Sequence, residues 1–287
     1  MDSLKRQQIE QQLGKPPVSI QPLHGGCIAE VCRVRFDDGT DLAVKFDSGT
    51  SPKLNIEGFM LKRLMHAGVR VPRVVHASTS LLAMEFIPND GRRSTPGERE
   101  LARLLAALHA HRADRYGLER DTLIGPLEQS NDWSHDWPAF VADSRMMPMA
   151  TLAERRGALP DGCRDRLRHL CDRLPVLLPN PSPPALIHGD LWAGNILWDG
   201  GAPAALIDPA VYFADPEIEL AFIDLMGGLG PGFWESYHEH RPIDDGFWSY
   251  RCTLYQVYPL LVHAALFGGG YGAAVDAVCK RYAATSM

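Results

Sequence analysis

Residues 186–208 read LIHGDLWAGNILWDGGAPAALID and contain the most informative pattern of the chain. It places His188, Asp190 and Asn195 in the order His-x-Asp-x-x-x-x-Asn, and Asp208 follows after a second apolar run. Short apolar runs bounded by turn residues are typical of buried strands. The stretch therefore predicts a strand, a polar loop and a second strand. Ordinary surface turns are the alternative, because Asp-Gly and Asn-Gly neighbourhoods often mark turns.

The spacing of these polar residues is that of kinase catalytic loops. There, an Asp orients the attacking hydroxyl and accepts its proton, an Asn five residues later binds Mg²⁺, and a later Asp holds Mg²⁺ against the nucleotide phosphates. The pattern predicts Asp190 as the proton acceptor, Asn195 and Asp208 as magnesium ligands, and ATP as the phosphoryl donor. His188 is predicted to brace the loop by hydrogen bonding.

Composition and charge limit the class of protein. The chain has 287 residues, of which 45% are hydrophobic and 22% charged, which suits a folded protein with two lobes around a cleft. The net charge of −6 provides no general attraction to nucleic acid or to an anionic membrane, so we expect neither as a partner. The arginine clusters are interspersed with acids and are interpreted as solvated helix faces.

The cysteines and the apolar runs predict a cytoplasmic protein. Six cysteines occur without a Cys-x-x-Cys pair, which favours free thiols in a reducing compartment. The N-terminal segment MDSLKRQQ has no apolar stretch typical of a signal peptide. The apolar run at 257–267 is interrupted by Pro259 and His263 and is too short to cross a bilayer.

The first part of the chain predicts a small sheet. A polar helix over 1–13 is followed by strand patterns separated by one amphipathic helix pattern, with a Gly-containing turn at 37–40 that signals a hairpin. The predicted strands begin near Val18 and include 28–36, 42–46, 74–76 and 81–86, and the helix covers 54–65. The composition then changes at Ile87-Pro88-Asn89-Asp90-Gly91, which is interpreted as a connector.

Beyond the connector the chain becomes helical. Thr95-Pro96-Gly97-Glu98 fits a capping box, and leucines at 101, 104, 105 and 108 follow the helical period. Further helices are predicted over 137–153 and 161–174. The predicted fold class is α+β, a two-lobed kinase-like fold. It has a small antiparallel-sheet N-terminal lobe with one helix over 1–87 and a larger, mainly helical C-terminal lobe over 88–287.

The N-terminal lobe contains candidates for nucleotide binding. Gly25, Gly26 and Cys27 lie between the first strand patterns, where glycines let backbone N–H groups approach phosphate oxygens, although an ordinary hairpin turn is the alternative. Lys45 ends the run Leu-Ala-Val, at the position of a kinase third-strand lysine. Glu57 on the following helix is its predicted partner, the alternative being a solvated helix residue.

The adenine site is assigned by position alone. The segment that ends the small lobe consists of Met84, Glu85, Phe86 and Ile87 and comes directly before the connector. Backbone groups there are predicted to bond the purine edge, and Met84 to limit the depth of the pocket.

With these residues placed, the chain closely resembles the fructosamine (ketosamine) kinase family, a branch of the kinase-like fold related to aminoglycoside and choline kinases. The resemblance covers nearly the whole sequence. The motifs that carry it are 25–30, Tyr116-Gly117, Ile124-Gly125, Asn131-x-Trp133, Asp136-Trp137, HGDLWAGN at 188–195, IDPAVY at 207–212, Glu219-Leu220-Ala221, Leu254-Tyr255, His263 and Phe267-Gly268. Two departures are modest: the glycine loop is short, and Ala193 stands where a Ser is common.

The resemblance implies an activity. The family phosphorylates the sugar 3-hydroxyl of ketoamines, after which the unstable adduct frees its amine, so the implied role is deglycation. By resemblance, Asp190 accepts the proton, Lys45 and Glu57 form the phosphate-binding pair, and Asn195 and Asp208 bind the metal. The implied partner is a small-molecule or protein-linked ketoamine.

The sequence supports the alternatives to this activity unequally. An aminoglycoside or other small-molecule kinase would need an acidic acceptor pocket, and Asp215, Glu217 and Glu219 form an acidic cluster. Asp215 and Glu217 are therefore candidate substrate residues. Trp192 either stacks on the sugar or packs beneath the loop. An inactive nucleotide-binding scaffold is disfavoured because all the catalytic groups are present, and a protein kinase because no Ala-Pro-Glu segment follows Asp208.

Overall fold

The computed structural model describes residues 2–23, 30–49 and 51–284. Its N-terminal part contains a five-stranded antiparallel sheet in the order β1-β2-β3-β5-β4. The elements of this part are α1 (Asp2–Leu13), β1 (Ser19–Leu23), β2 (Glu30–Arg35), β3 (Asp41–Phe46), α2 (Leu54–His66), β4 (Val74–Ala77) and β5 (Leu81–Glu85). The predicted small sheet, with one helix inserted after its third strand, is confirmed.

Alternation along β3 places Lys45 toward the rest of the molecule. Leu42 and Val44 are buried in a cluster that includes Ile9 of α1. Because successive side chains of a strand point to opposite faces, Ala43 and Lys45 lie on the other face, where Ala43 packs against the main core.

Residues 86–94 connect β5 to the next helix of the chain. The backbone N–H groups of Asp90 and Gly91 both donate to the carbonyl of Trp198, which ties this connector to the catalytic segment. The helix α3 (Thr95–Leu108) is capped by Ser94, whose side chain accepts a hydrogen bond from the Gly97 N–H at 3.1 Å. The prediction places the cap at Thr95 and the first helical residue at Pro96, and in the structure both lie one position earlier, at Ser94 and Thr95.

Helices make up most of the rest of the chain. One continuous helical stretch covers residues 137–155, where a single α-helix over 137–153 is predicted. It consists of the α-helices Trp137–Phe140 and Met147–Arg155 with a π-helix, Val141–Met146, between them. The α-helices are α4 (Trp137–Phe140), α5 (Met147–Arg155), α6 (Cys163–Leu177), α7 (Glu217–Met226), α8 (Pro231–His240), α9 (Cys252–Tyr255), α10 (Val257–Phe267) and α11 (Tyr271–Ala284), with a second π-helical turn at Phe247–Arg251. The predicted boundary at residue 87 stays a prediction; the chain passes from sheet to helix between Glu85 and Thr95.

Three two-stranded ladders position the catalytic segment. β8 (Ala185–Ile187) pairs with β11 (Tyr212–Ala214), and β9 (Ile196–Asp199) pairs with β10 (Ala202–Leu206). The predicted strand-loop-strand is confirmed, and the polar loop and Asp208 lie where these strands end. The hairpin β6 (Thr122–Ile124) and β7 (Leu127–Gln129) was not predicted. Over the described ranges, no helix is long and apolar enough to cross a membrane.

Candidate active site

The N-terminal side of the site centres on a buried lysine. Lys45 Nζ lies 2.7 Å from Glu57 Oε1 of α2 and is also hydrogen-bonded to Asp208. The lysine is only 8% exposed. Residues far apart in the chain therefore meet at one ammonium group, which joins β3, α2 and the segment after β10.

The electrostatics of this cluster keep the lysine charged. Burial alone would lower the pKa of Lys45, but the negative charges of Glu57 and Asp208 raise it above its ordinary value. Burial raises the pKa of Glu57, and the neighbouring ammonium group opposes that effect. A charged lysine paired with a helix glutamate is the arrangement that positions phosphate groups in kinases, where the distant Asp binds Mg²⁺.

Asn195 fixes the catalytic loop around Asp190. Its Nδ2 donates to the Asp190 backbone carbonyl at 2.7 Å and to Asp190 Oδ2 at 3.0 Å. Within the described ranges, no hydrogen bond reaches Asp190 Oδ1 or Asn195 Oδ1. One carboxylate oxygen of Asp190 is thus positioned and the other is left for a ligand.

The environment of Asp190 favours proton uptake. Burial raises the pKa of Asp190 to about 8, the charges of Asp208 and Glu219 act in the same direction, and the Asn195 hydrogen bond opposes them. A nearby cation would lower this pKa by favouring the carboxylate. At this pKa the carboxyl group holds its proton at neutral pH, and a bound cation that lowers the pKa would free the carboxylate to accept the proton of a hydroxyl group.

Asp208 is held in an unusual backbone conformation. Its φ angle is 55°, in the left-handed region that few residues other than glycine adopt. On either side of it, Ile207 donates its N–H to the Asn195 carbonyl at 3.0 Å, and Ala210 donates its N–H to the His188 carbonyl at 2.8 Å. His188 Nε2 is also 3.1 Å from the Ile207 carbonyl. The segment is thus locked to the catalytic loop, and Asp208 turns toward Lys45.

Gly189 allows the loop to pass close to that segment. Its φ angle is 85°, and a Cβ at this position would lie 2.1 Å from the Ala210 carbonyl oxygen. Only glycine fits both constraints. The residue before Asp190 is therefore fixed by backbone contact with the residues after Asp208.

Sequence reasoning assigned no role to the buried glutamate that supports the loop. Glu219 of α7 is 2% exposed and accepts hydrogen bonds from the backbone N–H groups of His188 at 3.2 Å and Gly189 at 2.7 Å. Its Oε2 also lies 2.8 Å from His109 Nε2, and His109 Nδ1 lies 2.7 Å from the Tyr237 hydroxyl. An acidic residue within an apolar run, Ile-Glu-Leu-Ala-Phe at 218–222, is the signal that could have found it.

The pKa values define the charge of this network. Burial raises the pKa of Glu219, but hydrogen bonds from His109 and Gly189 outweigh it, so the net pKa lies below the ordinary value. Burial lowers the pKa of His109. Glu219 is therefore ionised and His109 neutral, with His109 Nε2–H as the donor to Glu219 and Nδ1 as the acceptor from Tyr237.

The three candidate substrate residues have protein partners. The Trp192 ring packs against Gly194 of its own loop, where an added Cβ would lie 2.4 Å from the ring. Asp215 is buried and accepts hydrogen bonds from the Ser182 N–H and from the Tyr255 hydroxyl, at 3.0 and 3.1 Å. Their roles in substrate binding stay predictions.

Glu217 has an equally specific partner. Arg251 donates to both of its carboxylate oxygens, at 2.6 and 2.8 Å. Arg251 and Glu217 line, together with Asp215, a polar depression that does not include Asp190. The acidic cluster of the sequence is thereby divided: Glu219 supports the catalytic loop, and the other two carboxylates lie elsewhere.

The segment assigned to adenine lies at the end of β5. Met84 is buried, Glu85 is exposed, and Phe86 and Ile87 are half-buried. The N–H groups of Glu85 and Phe86 donate to Arg73 and Asp41 carbonyls. The Ile87 N–H makes no hydrogen bond to any described residue and is available to a ligand. Gly25, Gly26 and Cys27 lie outside the described residues.

The fold and the site define a class of enzyme. A small antiparallel sheet and its helix carry a lysine–glutamate pair, and a larger helical part carries an Asp-Asn loop and a distant Asp that reaches the same lysine. This is the two-lobed kinase-like architecture, with the residues of a phosphotransferase that acts on a hydroxyl group.

Comparison with known proteins gives the family. The family model described as "Fructosamine kinase" matches residues 1–285, and the chain belongs to that family. A probable ketoamine kinase of Enterococcus faecium is 34% identical over 203 residues, which is 70% of this chain and 71% of the relative.

Solved structures agree with this assignment. A putative fructosamine-3-kinase of Thermobifida fusca superposes with a TM-score of 0.87 at 31% identity and covers 98% of each chain. An aminoglycoside phosphotransferase in a complex with streptomycin and ATP gives a TM-score of 0.64 at 15% identity, over 98% of this chain and 96% of that one. The second likeness shows the shared kinase-like fold. The chain is thus an ATP-using phosphotransferase that acts on a hydroxyl group, as predicted.

Proposed function

We propose that this enzyme phosphorylates the 3-hydroxyl of ketoamines, with Asp190 as the proton acceptor. The observation that carries the proposal is the geometry of Asp190, whose Oδ2 is held by Asn195 while Oδ1 has no partner among the described residues. Asp190 also lines a cavity with Tyr212 and Tyr258, where an acceptor can approach. Membership of the fructosamine kinase family and the ketoamine kinase relative support the choice of substrate.

The proposed chemical step is a direct transfer. Asp190 Oδ1 takes the proton of the sugar hydroxyl while the hydroxyl oxygen forms a bond to the γ-phosphorus of ATP. The bond between that phosphorus and the β–γ bridging oxygen breaks, and ADP leaves. Lys45 holds the phosphates and is itself oriented by Glu57. The Ile87 N–H and the end of β5 bind the purine.

Asn195 and Asp208 are proposed to bind Mg²⁺. Both supply oxygen, the ligand that Mg²⁺ prefers, and Asn195 Oδ1 accepts no hydrogen bond from the described residues although the side chain is 6% exposed. Over the described ranges, no group of three His, Cys, Asp or Glu side chains forms a separate metal site. Two protein ligands suit an ion that also binds phosphates and water. The ion, when bound, would neutralise charge on the transferred phosphoryl group.

The acidic pocket that a polycationic antibiotic would need is not favoured. Asp215 is buried with three hydrogen-bond donors, and Glu217 is neutralised by Arg251. We therefore rank aminoglycosides below ketoamines as the proposed acceptor substrates. The proposed compartment is the cytoplasm, which supplies ATP and keeps thiols reduced; no disulfide joins any of the described cysteines.

The test is a panel of acceptors. ADP release is measured with fructosamine, ribulosamine, a ribated protein and aminoglycosides, and phosphorus NMR locates the phosphate on the product. We expect turnover of ketoamines with the phosphate on the 3-oxygen, and its loss in Asp190→Asn. Turnover confined to aminoglycosides would overturn the substrate, and full activity of Asp190→Asn would overturn the role of Asp190.

The metal ligands are tested in the same assay. We expect chelation with EDTA to stop turnover and added Mg²⁺ to restore it. Asn195→Ala should raise the concentration of Mg²⁺ needed for half-maximal rate. An unchanged Mg²⁺ dependence of that variant would contradict the assignment of Asn195.

A further inference from the structure

We propose that Phe222, His263, Phe267 and Tyr271, called here the aromatic cluster, bind the protonated amine of the ketoamine. This inference rests on the proposed function and names the part of the site that distinguishes a ketoamine from a plain ketose. His263 and Phe267 belong to a sequence motif to which no chemical role is otherwise assigned.

The cluster lies at the cavity that holds Asp190. Phe222 of α7 and His263 of α10 line this cavity together with Asp190. The His263 ring centroid is 6.5 Å from that of Phe222, 5.7 Å from that of Phe267 and 5.0 Å from that of Tyr271. The four rings are therefore one contiguous group that starts beside Asp190 and extends outward.

The local fold explains why these rings meet. His263 and Phe267 are four residues apart in α10 and so lie on the same face of the helix. The helix ends at Gly268, whose φ angle is 66°, and α11 begins at Tyr271. The short turn returns the chain, and Tyr271 comes into contact with His263.

The size of the cavity requires a binding surface outside it. The cavity has a volume of about 30 Å³, which accommodates a water molecule or a hydroxyl group but not a whole sugar. With the reacting hydroxyl at Asp190, the remainder of the substrate must lie at the opening. Phe267 and Tyr271, whose rings lie next to that of the cavity residue His263, are 57% and 39% exposed and so are accessible to a ligand.

The chemistry of the cluster suits a cation. The cavity lining contains two carboxylates, Asp190 and Glu219, and no lysine or arginine among the described residues. Glu219 is fully engaged with the catalytic loop, which leaves aromatic rings as the remaining partners for positive charge. Aromatic faces attract ammonium groups, and a ketoamine carries a secondary amine that is protonated at neutral pH.

His263 adds a directed contact. Its Nδ1 is 2.8 Å from the Pro259 carbonyl, so Nδ1 carries a hydrogen and donates it. In the neutral ring, Nε2 is then an acceptor. It makes no hydrogen bond within the described part of the chain, and it is available to the N–H of the substrate amine.

The experiment compares substrates and variants by steady-state kinetics. The substrates are a fructosamine and its 1-O-alkyl fructose analogue, in which an ether oxygen replaces the amine. We expect the wild-type enzyme to prefer the amine at least about tenfold in kcat/KM, in keeping with a cation near several rings. Phe267→Leu and Tyr271→Leu should each raise KM for the fructosamine severalfold, while kcat and KM for ATP stay unchanged.

Matched variants separate the possible causes. Tyr271→Phe keeps the ring and should raise KM for the fructosamine less than Tyr271→Leu does, and His263→Gln keeps an acceptor and should lose less affinity than His263→Ala. Trp248→Ala removes another exposed ring, 48% exposed and packed on Phe247 and Trp234, and should change nothing. Thermal melting verifies that each variant is folded.

The outcomes distinguish this inference from the function on which it rests. If the wild-type enzyme does not turn over any ketoamine, the proposed function is wrong. If it does so, but the leucine variants retain the wild-type KM and the preference over the ether, the aromatic cluster does not bind the amine. An equal loss for the amine and the ether would show an apolar surface without cation recognition and would likewise overturn the inference.

Discussion

Replacing Glu219 with glutamine tests how the catalytic loop is supported. In the wild-type protein, three donors point at this carboxylate: the N–H of His188 and His109 Nε2–H at Oε2, and the N–H of Gly189 at Oε1. A glutamine has one oxygen and one NH₂ group. In either orientation of the glutamine amide, the NH₂ takes the place of a carboxylate oxygen that accepts from a backbone N–H. In the wild-type protein these distances are 2.7 Å for Gly189 and 3.2 Å for His188.

The expected cost follows from this count. A hydrogen bond to a charged group contributes about 1.5–3 kcal/mol, and a buried N–H without a partner costs about 1–3 kcal/mol. If the glutamine NH₂ faces His109, the His109 ring can move its hydrogen from Nε2 to Nδ1 and accept from the NH₂. The remaining cost is then one backbone N–H without an acceptor and the loss of the negative charge. We therefore expect Glu219→Gln to lower the free energy of unfolding by about 3 kcal/mol, and the melting temperature by roughly 6–12 °C.

The same substitution should reduce turnover without weakening ATP binding. The displaced backbone precedes Asp190 directly, and small displacements of a catalytic group lower kcat by one or two orders of magnitude. The Lys45–Glu57 pair does not contact Glu219, so KM for ATP should stay within about twofold. The assays are thermal unfolding by circular dichroism and steady-state ADP release.

A surface glutamate provides the control. Glu235 of α8 is paired with Arg99 at 3.5 Å and its side chain is 66% exposed, so Glu235→Gln should cost less than about 1 kcal/mol and leave kcat unchanged. If Glu219→Gln matches this control in both melting temperature and kcat, the buried carboxylate does not hold the loop, and the reasoning above is wrong.

Three further predictions use matched pairs or a pH series. Gly189→Ala should destabilise the protein by about 3 kcal/mol or more and abolish turnover because its Cβ would meet the Ala210 carbonyl, whereas Gly157→Ala, with a similar φ of 66° but open space, should cost about 1–2 kcal/mol in urea unfolding. Lys45→Met should lower kcat/KM for ATP about 100-fold or more, and Lys53→Met, which loses only a surface pair with Glu128, should retain the wild-type value. Burial raises the pKa of Asp215 from its ordinary 3.8 to about 6, so the folded state loses stability as the pH rises through that interval. Relative to Asp215→Asn, the wild-type protein should therefore lose about 2 kcal/mol of unfolding free energy between pH 4 and pH 7, and a pH-independent difference would contradict this.

The sequence pattern alone predicted the features that depend on residues close together in the chain. The hydrophobic period and the turn at 37–40 predicted the small sheet, and the five-residue spacing predicted that Asp190 and Asn195 share one loop; in the structure Asn195 donates to Asp190 twice. Such features depend on neighbouring residues, whose relative positions are fixed by a few backbone angles. The capping residue of α3 was misplaced by one position because Ser94 and Thr95 are equally suitable caps by type.

The interior carboxylates required the tertiary structure. Asp215, Glu217 and Glu219 form one acidic cluster in the sequence, yet Glu219 accepts backbone hydrogen bonds from the catalytic loop, and Glu217 pairs with Arg251. The partner of each carboxylate comes from a distant segment. The direction that each side chain takes depends on how α7 packs, and this packing is not encoded in the spacing of the three residues.

Which groups are available can be read from the sequence: a lysine and a glutamate for phosphate, an Asp-Asn loop, and a distant Asp. That Lys45 meets both Glu57 and Asp208, that Asp190 keeps one oxygen without a described partner, and that Phe222 and His263 line the same cavity as Asp190 follows from the packing of the chain. Charge, burial and hydrogen bonding act over a few ångströms in space, irrespective of separation along the chain. A motif fixes the kinds of atoms, whereas the packing of the whole chain fixes the distances at which they act.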